Sequence, residues 1–266
     1  MTYVTKPKIY LVTRPSIDWG QVAAFLESEE VPPIPESIRS GVDQSSAVVE
    51  ISARLCYMSF GRGRKDIADF VDNLLSKGDG SVFEHVNYGF VFTGVSRSMT
   101  HELVRHRAGF AYSQRSQRFV DEAQSPFVIP PALLEDRVGT SEARKILQDA
   151  LDGASSAYAA LVSKLEESIP ADMFSHPRDH RKAVRQAARA VLPNATETKI
   201  FVTANVRAWR HFIELRGADH ADWEIRSVAL MILEILEREA PLLFGDFVVK
   251  DLPDGTRIAT PKHSKI

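Results

Sequence analysis

Helical and extended patterns follow one another along this chain without a regular strand–helix–strand rhythm, and that irregularity restricts the possible folds more than any other feature. Ile67, Phe70, Val71, Leu74 and Leu75 mark an amphipathic helix stopped at Gly78. Residues 146–165 read as one long helix ended before Pro170, and Pro177 opens another with Val184, Ala187, Ala188 and Val191 as its apolar face. Asn205 is placed to cap a helix bearing Trp209, Phe212, Ile213 and Leu215, which Gly217 ends. Asp219 or Asp222 begins the last long helix, with Ile225, Val228, Ile232 and Leu236 turned inward. A weaker helix is predicted over Trp19–Glu29, and another from Asp43 with Val48, Ile51, Leu55 and Met58 as its stripe. Ser96 can cap a helix running to about Arg107.

Strand character appears at Lys8–Thr13, in the alternation of Val86–Thr93, at Tyr112–Val120 and at Thr196–Thr203, while Asp251–Thr260 reads as a hairpin around Asp254-Gly255. The proline-rich residues 31–35 and residues 136–140 read as loops. Neither a GxGxxG dinucleotide fingerprint nor a GxxxxGK[ST] phosphate loop is present. The expected fold class is α+β, a single domain over residues 1–266 that mixes long helices with a small, mainly antiparallel sheet and is not a Rossmann fold.

Composition narrows the function classes. A formal net charge of -2 gives no global basic field for bulk nucleic-acid binding, so anion recognition must come from local clusters. Cys56 is the lone cysteine, which rules out an internal disulfide and fits a reducing cytosol. Its place inside the helix predicted from Asp43 makes it a buried, inert thiol. No apolar run reaches membrane-spanning length and no signal-peptide pattern opens the chain, so the expected location is cytoplasmic, with no membrane partner. His176 and His180 are separated by Pro177 and Arg178 among others and lack an accompanying carboxylate motif, so no metal site is expected.

The densest chemistry lies between His101 and Phe119, which holds Arg105, Arg107, Arg115 and Arg118 but no lysine. Arginine offers a planar fork of donors that matches a phosphate bidentately, while serine and glutamine can orient a neutral heterocycle. Arg181, Arg185 and Arg189 recur at helical spacing further on; like charges placed this way oppose the helix mildly and invite an anionic partner. A second polar region runs from Asn205 through Arg207, His211 and Arg216 to His220.

Arg105-His106-Arg107, eight residues, then Ser116-Gln117-Arg118 resembles the signature of the flavin-dependent thymidylate synthases. Three further segments resemble that family in order: Ser81-Val82-Phe83-Glu84-His85, Ala188-Arg189-Ala190-Val191-Leu192-Pro193, and Asn205-Val206-Arg207 leading to Leu215-Arg216 and His220-Ala221. The chain departs from the pattern at Asp79, where the family usually carries histidine, and at Glu102, where glutamine is frequent.

The resemblance implies reductive methylation of dUMP to dTMP, with FAD as cofactor, NADPH as reductant and 5,10-methylenetetrahydrofolate as carbon donor, in a homotetramer with shared active sites. It implies that Glu102, Leu103, Val104, Arg105, Gln114, Arg115, Ser116, Gln117, Arg118 and Arg189 meet dUMP. Arg216 is then the catalytic residue at the uracil edge. The FAD set is Ser81, Arg105, His106, Arg107, Gln114, Asn205, Val206, Arg207, His211 and His220. Such a route needs no enzymic nucleophile, which suits a chain whose lone thiol has no electropositive surround in sequence. The same residues, taken without the resemblance, also admit a non-enzymatic nucleotide- or RNA-binding module or a flavoprotein reductase without methyl transfer.

Overall fold

The computed structural model describes residues 2–34, 38, 41–134 and 139–264. Its strands are β1 (Tyr3–Val4), β2 (Lys8–Thr13), β3 (Asn87–Ser96), β4 (Phe110–Gln114), β5 (Phe127–Val128), β6 (Glu197–Asn205), β7 (Phe247–Asp251) and β8 (Arg257–Pro261). Its α-helices are α1 (Trp19–Ser28), α2 (Gln44–Leu55), α3 (Ile67–Lys77), α4 (Arg97–Leu103), α5 (Ser141–Ser168), α6 (Pro177–Ala188), α7 (Val206–Arg216), α8 (Trp223–Glu239) and α9 (Pro241–Phe244). Four strands form one sheet in the order β2-β3-β6-β4; β1 and β5 pair in parallel and β7 and β8 form an antiparallel hairpin. The fold is α+β.

The chain divides into two compact units that interleave in sequence. The first comprises Met1–Lys8, Phe92–Arg105 and Tyr112–Phe201; the second comprises Ile9–Val91, His106–Ala111 and Val202–Ile266. In the first unit Phe127, Ile129 and Leu151 form a buried cluster against which Tyr3, Leu133, Leu147 and Ala195 pack. The core of the second unit is aromatic. Phe90 stands edge-on to Trp209 at 5.2 Å between ring centroids, and the Trp209 indole donates to the Tyr88 carbonyl at 3.2 Å. Trp209 and Phe212 are both fully buried, and burial of each such ring contributes roughly 1.5–3 kcal/mol.

Local chemistry sets the element boundaries. Asp43, Asp66, Ser96, Asn205 and Asp222 each cap a helix by accepting from a backbone N–H of its first turn. Gly78 closes α3 with φ 73°, a left-handed conformation that glycine adopts without Cβ strain.

Several expectations are corrected. The helix capped by Ser96 ends at Leu103, not near Arg107, because the chain leaves the helix at Val104 and turns through Gly109, φ 73°, into β4. Arg105 and Arg107 therefore lie in the connection after α4. The strand expected over Tyr112–Val120 is only Phe110–Gln114, and Ser116 begins a turn in which its carbonyl accepts from the Phe119 and Val120 amides. The stripe expected on α2 is rotated. Leu55 and Met58 are exposed, whereas Ala47, Val49, Glu50, Ala53 and Arg54 are buried, because Glu50 and Arg54 neutralise each other at 2.7 Å on the inner face. That rotation also exposes Cys56, at the C-terminal cap of α2, so the inert buried thiol is not what the fold builds. The hairpin begins earlier than expected, at Phe247. Within the two expected loops, Pro35 and residues 136–138 lie outside the described residues.

Candidate functional site

The first unit contains every residue expected at dUMP except Arg216. Leu103 is fully buried and its carbonyl accepts from the Tyr112 hydroxyl at 3.0 Å, whereas Val104 and Arg105 are exposed and Glu102 is half-buried. Gln114 donates to Thr100 and Thr198 hydroxyls at 3.1 and 3.3 Å. Arg115 is drawn inward: it lies 2.7 Å from the Glu122 carboxylate, 3.8 Å from that of Glu197 and 2.7 Å from the Ser125 hydroxyl. Both glutamates are almost wholly buried; Arg115 neutralises Glu122, and Glu197 also has Lys199 at 3.0 Å.

Around that network sits an excess of cationic and donor groups. Arg97, on the first turn of α4, is half-buried, and one terminal nitrogen of its guanidinium has no hydrogen-bond partner. Burial depresses its pKa, the Glu122 carboxylate opposes that shift, and the positive charges of Arg189 and Arg115 reinforce it. Arg189 is not part of α6; it follows the helix in a 3₁₀ turn, Arg189–Val191. The N-terminus of α4 is tied to the same chain segment, with the Arg97 and Ser98 amides donating to the Thr196 and Asn194 carbonyls at 3.1 and 3.0 Å. The Gln117 amide nitrogen and Arg118 Nε are likewise buried without a partner, while Ser116 Oγ accepts from the Arg118 amide at 3.3 Å. Unpaired buried donors beside mutually repelling guanidiniums favour an anion with acceptor oxygens. Arg185, by contrast, spends its donors internally on the Phe119 carbonyl at 2.7 Å and on Asp121 at 3.4 Å.

The second unit holds the residues expected at FAD, apart from Arg105 and Gln114, together with Arg216. Residues 106–110 lie along α7. At its N-terminal end Gly109 packs so closely on the Asn205 cap that a Cβ there would sit 2.7 Å from the Asn205 amide nitrogen, so only glycine fits. Phe110 meets Trp209 and Phe212 edge-on at 5.1 and 6.2 Å. At the other end His106 contacts Phe212 and His211, and Arg216 Nε donates to His106 Nε2 at 2.9 Å. Burial, then the charges of Arg216 and His211, push the His106 pKa down to about 4.

Arg207 is partly exposed and pairs with Glu84 of the Gly80–His85 3₁₀ turn at 2.5 Å. Arg107, His211 and Ser81 are exposed. Val206 is fully buried and its amide donates to the Val86 carbonyl at 2.8 Å, so it acts as packing at the helix start. His220 is exposed beside Asp219, 3.6 Å away. Asp79 is exposed immediately after Gly78.

The family model described as thymidylate synthase complementing protein matches residues 40–242. The flavin-dependent thymidylate synthase of Mycobacterium tuberculosis (strain ATCC 25618 / H37Rv) is 46% identical over 221 residues, covering 82% of this chain and 86% of that protein. The enzyme of the same name from Mycobacterium sp. (strain KMS) is 42% identical over 248 residues, covering 90% and 94%. The chain belongs to the flavin-dependent thymidylate synthase family.

Two features of this family member leave little trace in the sequence. Arg97 lies outside the motifs, and its one sequence signal is a charge directly after the Ser96 cap. Arg210, which interrupts the apolar side of α7, is buried and forms a two-pronged ion pair with Asp246 at 2.6 and 2.8 Å. It anchors α7 rather than touching a ligand. A cavity of about 340 Å³ in the second unit, walled by Pro33, Ile34, Ile51 and Phe60, contains none of the motif residues. Among the described residues no helix is long and apolar enough to cross a membrane.

Proposed function

We propose that this chain converts dUMP to dTMP, taking its carbon from 5,10-methylenetetrahydrofolate and using bound FAD that NADPH recharges. The observation that carries the reading is the meeting of two motifs far apart in sequence. His106 of the Arg-His-Arg triplet and Arg216, 110 residues later, are in direct hydrogen-bond contact at the end of α7. A bare electrostatic strip for RNA needs no such directional pairing.

The donor set suits a dinucleotide. Arg107 and Arg207 are solvent-facing forks matched to a pyrophosphate, and Ser81 and His211 are exposed polar groups in the same unit. Glu84 is the acceptor that Arg207 would exchange for a phosphate oxygen. FAD supplies the two-electron reducing power when bound. The chain's own task is positioning and charge stabilisation. Arg97, Arg105, Arg118 and Arg189 would take the dUMP phosphate, with Ser116 and Gln117 orienting ribose and base. Leu103, Val104, Gln114 and Arg115 shape that surface from behind, and Glu102 accepts from the ribose or a base N–H. Arg216 would stabilise the negative charge that develops on the uracil when C5 reacts.

In this reading the two interleaved units form one domain over residues 1–266, and the working molecule is a cytosolic homotetramer that shares active sites and takes no nucleic acid. The test is purification followed by a visible spectrum, then addition of dUMP, NADPH and methylenetetrahydrofolate with dTMP measured. A yellow protein whose flavin spectrum responds to dUMP and which forms dTMP supports the reading. Flavin reduction by NADPH without dTMP would make it a reductase; a colourless protein with salt-dependent RNA affinity would make it a binding module.

A further inference from the structure

His106 is held at the C-terminal end of α7 from several sides. Its ring stands 5.2 Å from Phe212 between centroids, 6.0 Å from Phe110 and 6.2 Å from His211. Its Nε2 lies 2.9 Å from Arg216 Nε. An arginine Nε–H can only donate, so His106 Nε2 is the unprotonated nitrogen and the ring proton sits on Nδ1. The charged and titratable groups facing the ring are Arg216 and His211, both of which oppose a positive imidazole. The ring is thus a neutral acceptor across the physiological range.

We propose that His106 is a positioning residue for methyl transfer, an acceptor that fixes the plane of the Arg216 guanidinium. This rests on the catalytic role given to Arg216 above. A guanidinium is planar, so tying Nε fixes the direction in which Nη1 and Nη2 point. A uracil edge is also planar, and a fork turned out of its plane loses the paired contact. Long arginine side chains sample many rotamers, and a hydrogen bond at Nε narrows that freedom before substrate arrives. Gly109 packed on Asn205 and Phe110 packed on Trp209 anchor the chain behind His106, so the acceptor cannot drift. The role goes beyond contact with the cofactor, since it acts through Arg216.

The test compares His106→Phe, which keeps a ring without an acceptor, with His106→Gln, which keeps an acceptor without the ring, alongside Arg216→Ala. Flavin content, KM for dUMP and kcat are measured for each. The expected result is a kcat per bound flavin lowered about 100-fold in His106→Phe, with KM for dUMP within a factor of about three. Most of the loss should be recovered in His106→Gln. Equal kcat in wild type and His106→Phe, equal loss in both His106 variants, or activity lost only in proportion to flavin would each overturn the proposal. Full turnover in Arg216→Ala would instead remove the function assigned to Arg216, and this proposal with it; loss there with an active His106→Phe sinks the positioning role alone. If the variants do not fold, ¹⁵N NMR of the wild-type holoprotein decides. An unprotonated, hydrogen-bonded Nε2 on His106 supports the role, and an Nε2–H tautomer ends it.

Discussion

Arg115 and Arg207 come from two motifs of the same family signature, yet they occupy opposite electrostatic settings. The Arg115 side chain is 18% exposed and faces Glu122 and Glu197, exposed by 1% and 3%. Arg207 is 43% exposed and its partner Glu84 48%. An ion pair in water is worth about 0–1 kcal/mol, so Arg207 can trade Glu84 for a ligand phosphate at small cost. Removing one member of a buried pair strands the other charge in low dielectric, so Arg115 is not tradable. Identical side chains in motif positions therefore divide into one that builds the site and one that can serve it.

Arg115→Ala sharpens that division most strongly. It should cost about 3–5 kcal/mol in urea unfolding, because the buried Glu122 loses the cation 2.7 Å away while Glu197 keeps Lys199 at 3.0 Å. A loss below about 1 kcal/mol would place Arg115 with Arg207. Next comes Arg216→Ala, expected to reduce kcat by about 10²–10³-fold with FAD still bound, as for loss of a group aimed at developing charge.

Arg97→Ala tests whether the Arg97 guanidinium, one of whose nitrogens is buried without a partner, serves a phosphate. The dUMP affinity should weaken by roughly 1.5–3 kcal/mol, the range for a charge-assisted hydrogen bond, while FAD affinity stays constant. Unchanged dUMP binding would make Arg97 structural. The pH dependence is a smaller effect. His106 has a folded pKa of about 4 against an ordinary 6.5, so between these values the unfolded chain binds the extra proton. Stability should therefore fall as pH drops from about 6.5 towards about 4, and this part of the slope should be absent in His106→Phe when urea midpoints are compared across that window. The smallest change is expected from Glu84→Gln. It should alter stability by less than about 1 kcal/mol and leave FAD affinity unchanged or tighter, since the competing carboxylate is gone. Weaker FAD binding would show that Glu84 holds Arg207 in its working pose.

The legible parts of the fold were those ruled by local chemistry. Asp43, Ser96 and Asn205 act as caps, Gly78 and Gly217 as stops, and Lys8–Thr13 as a strand, because each depends on a side chain reaching its own backbone or on a short repeat of apolar residues. The buried face of α2 departs from the hydropathy pattern because a buried Glu50–Arg54 pair looks like surface in such a pattern. The same blindness hid Arg210 with Asp246. A salt bridge between distant residues leaves no periodic trace.

In the candidate site, composition marks the arginine-rich stretch around Arg105, His106, Arg107 and Ser116 as suited to anions and a heterocycle, and the resemblance to the family adds Arg189 and Arg216. Their division of labour was not in the spacing. Which arginine is sealed by carboxylates, that Arg97 stands with Arg189, and that His106 accepts from Arg216 depend on packing between segments up to 110 residues apart. Side-chain type and local backbone preference are encoded residue by residue, so the chain's order determined its elements and its chemistry. Burial and the dielectric around each charge are properties of the assembled core, so only the tertiary structure decided what each charge does.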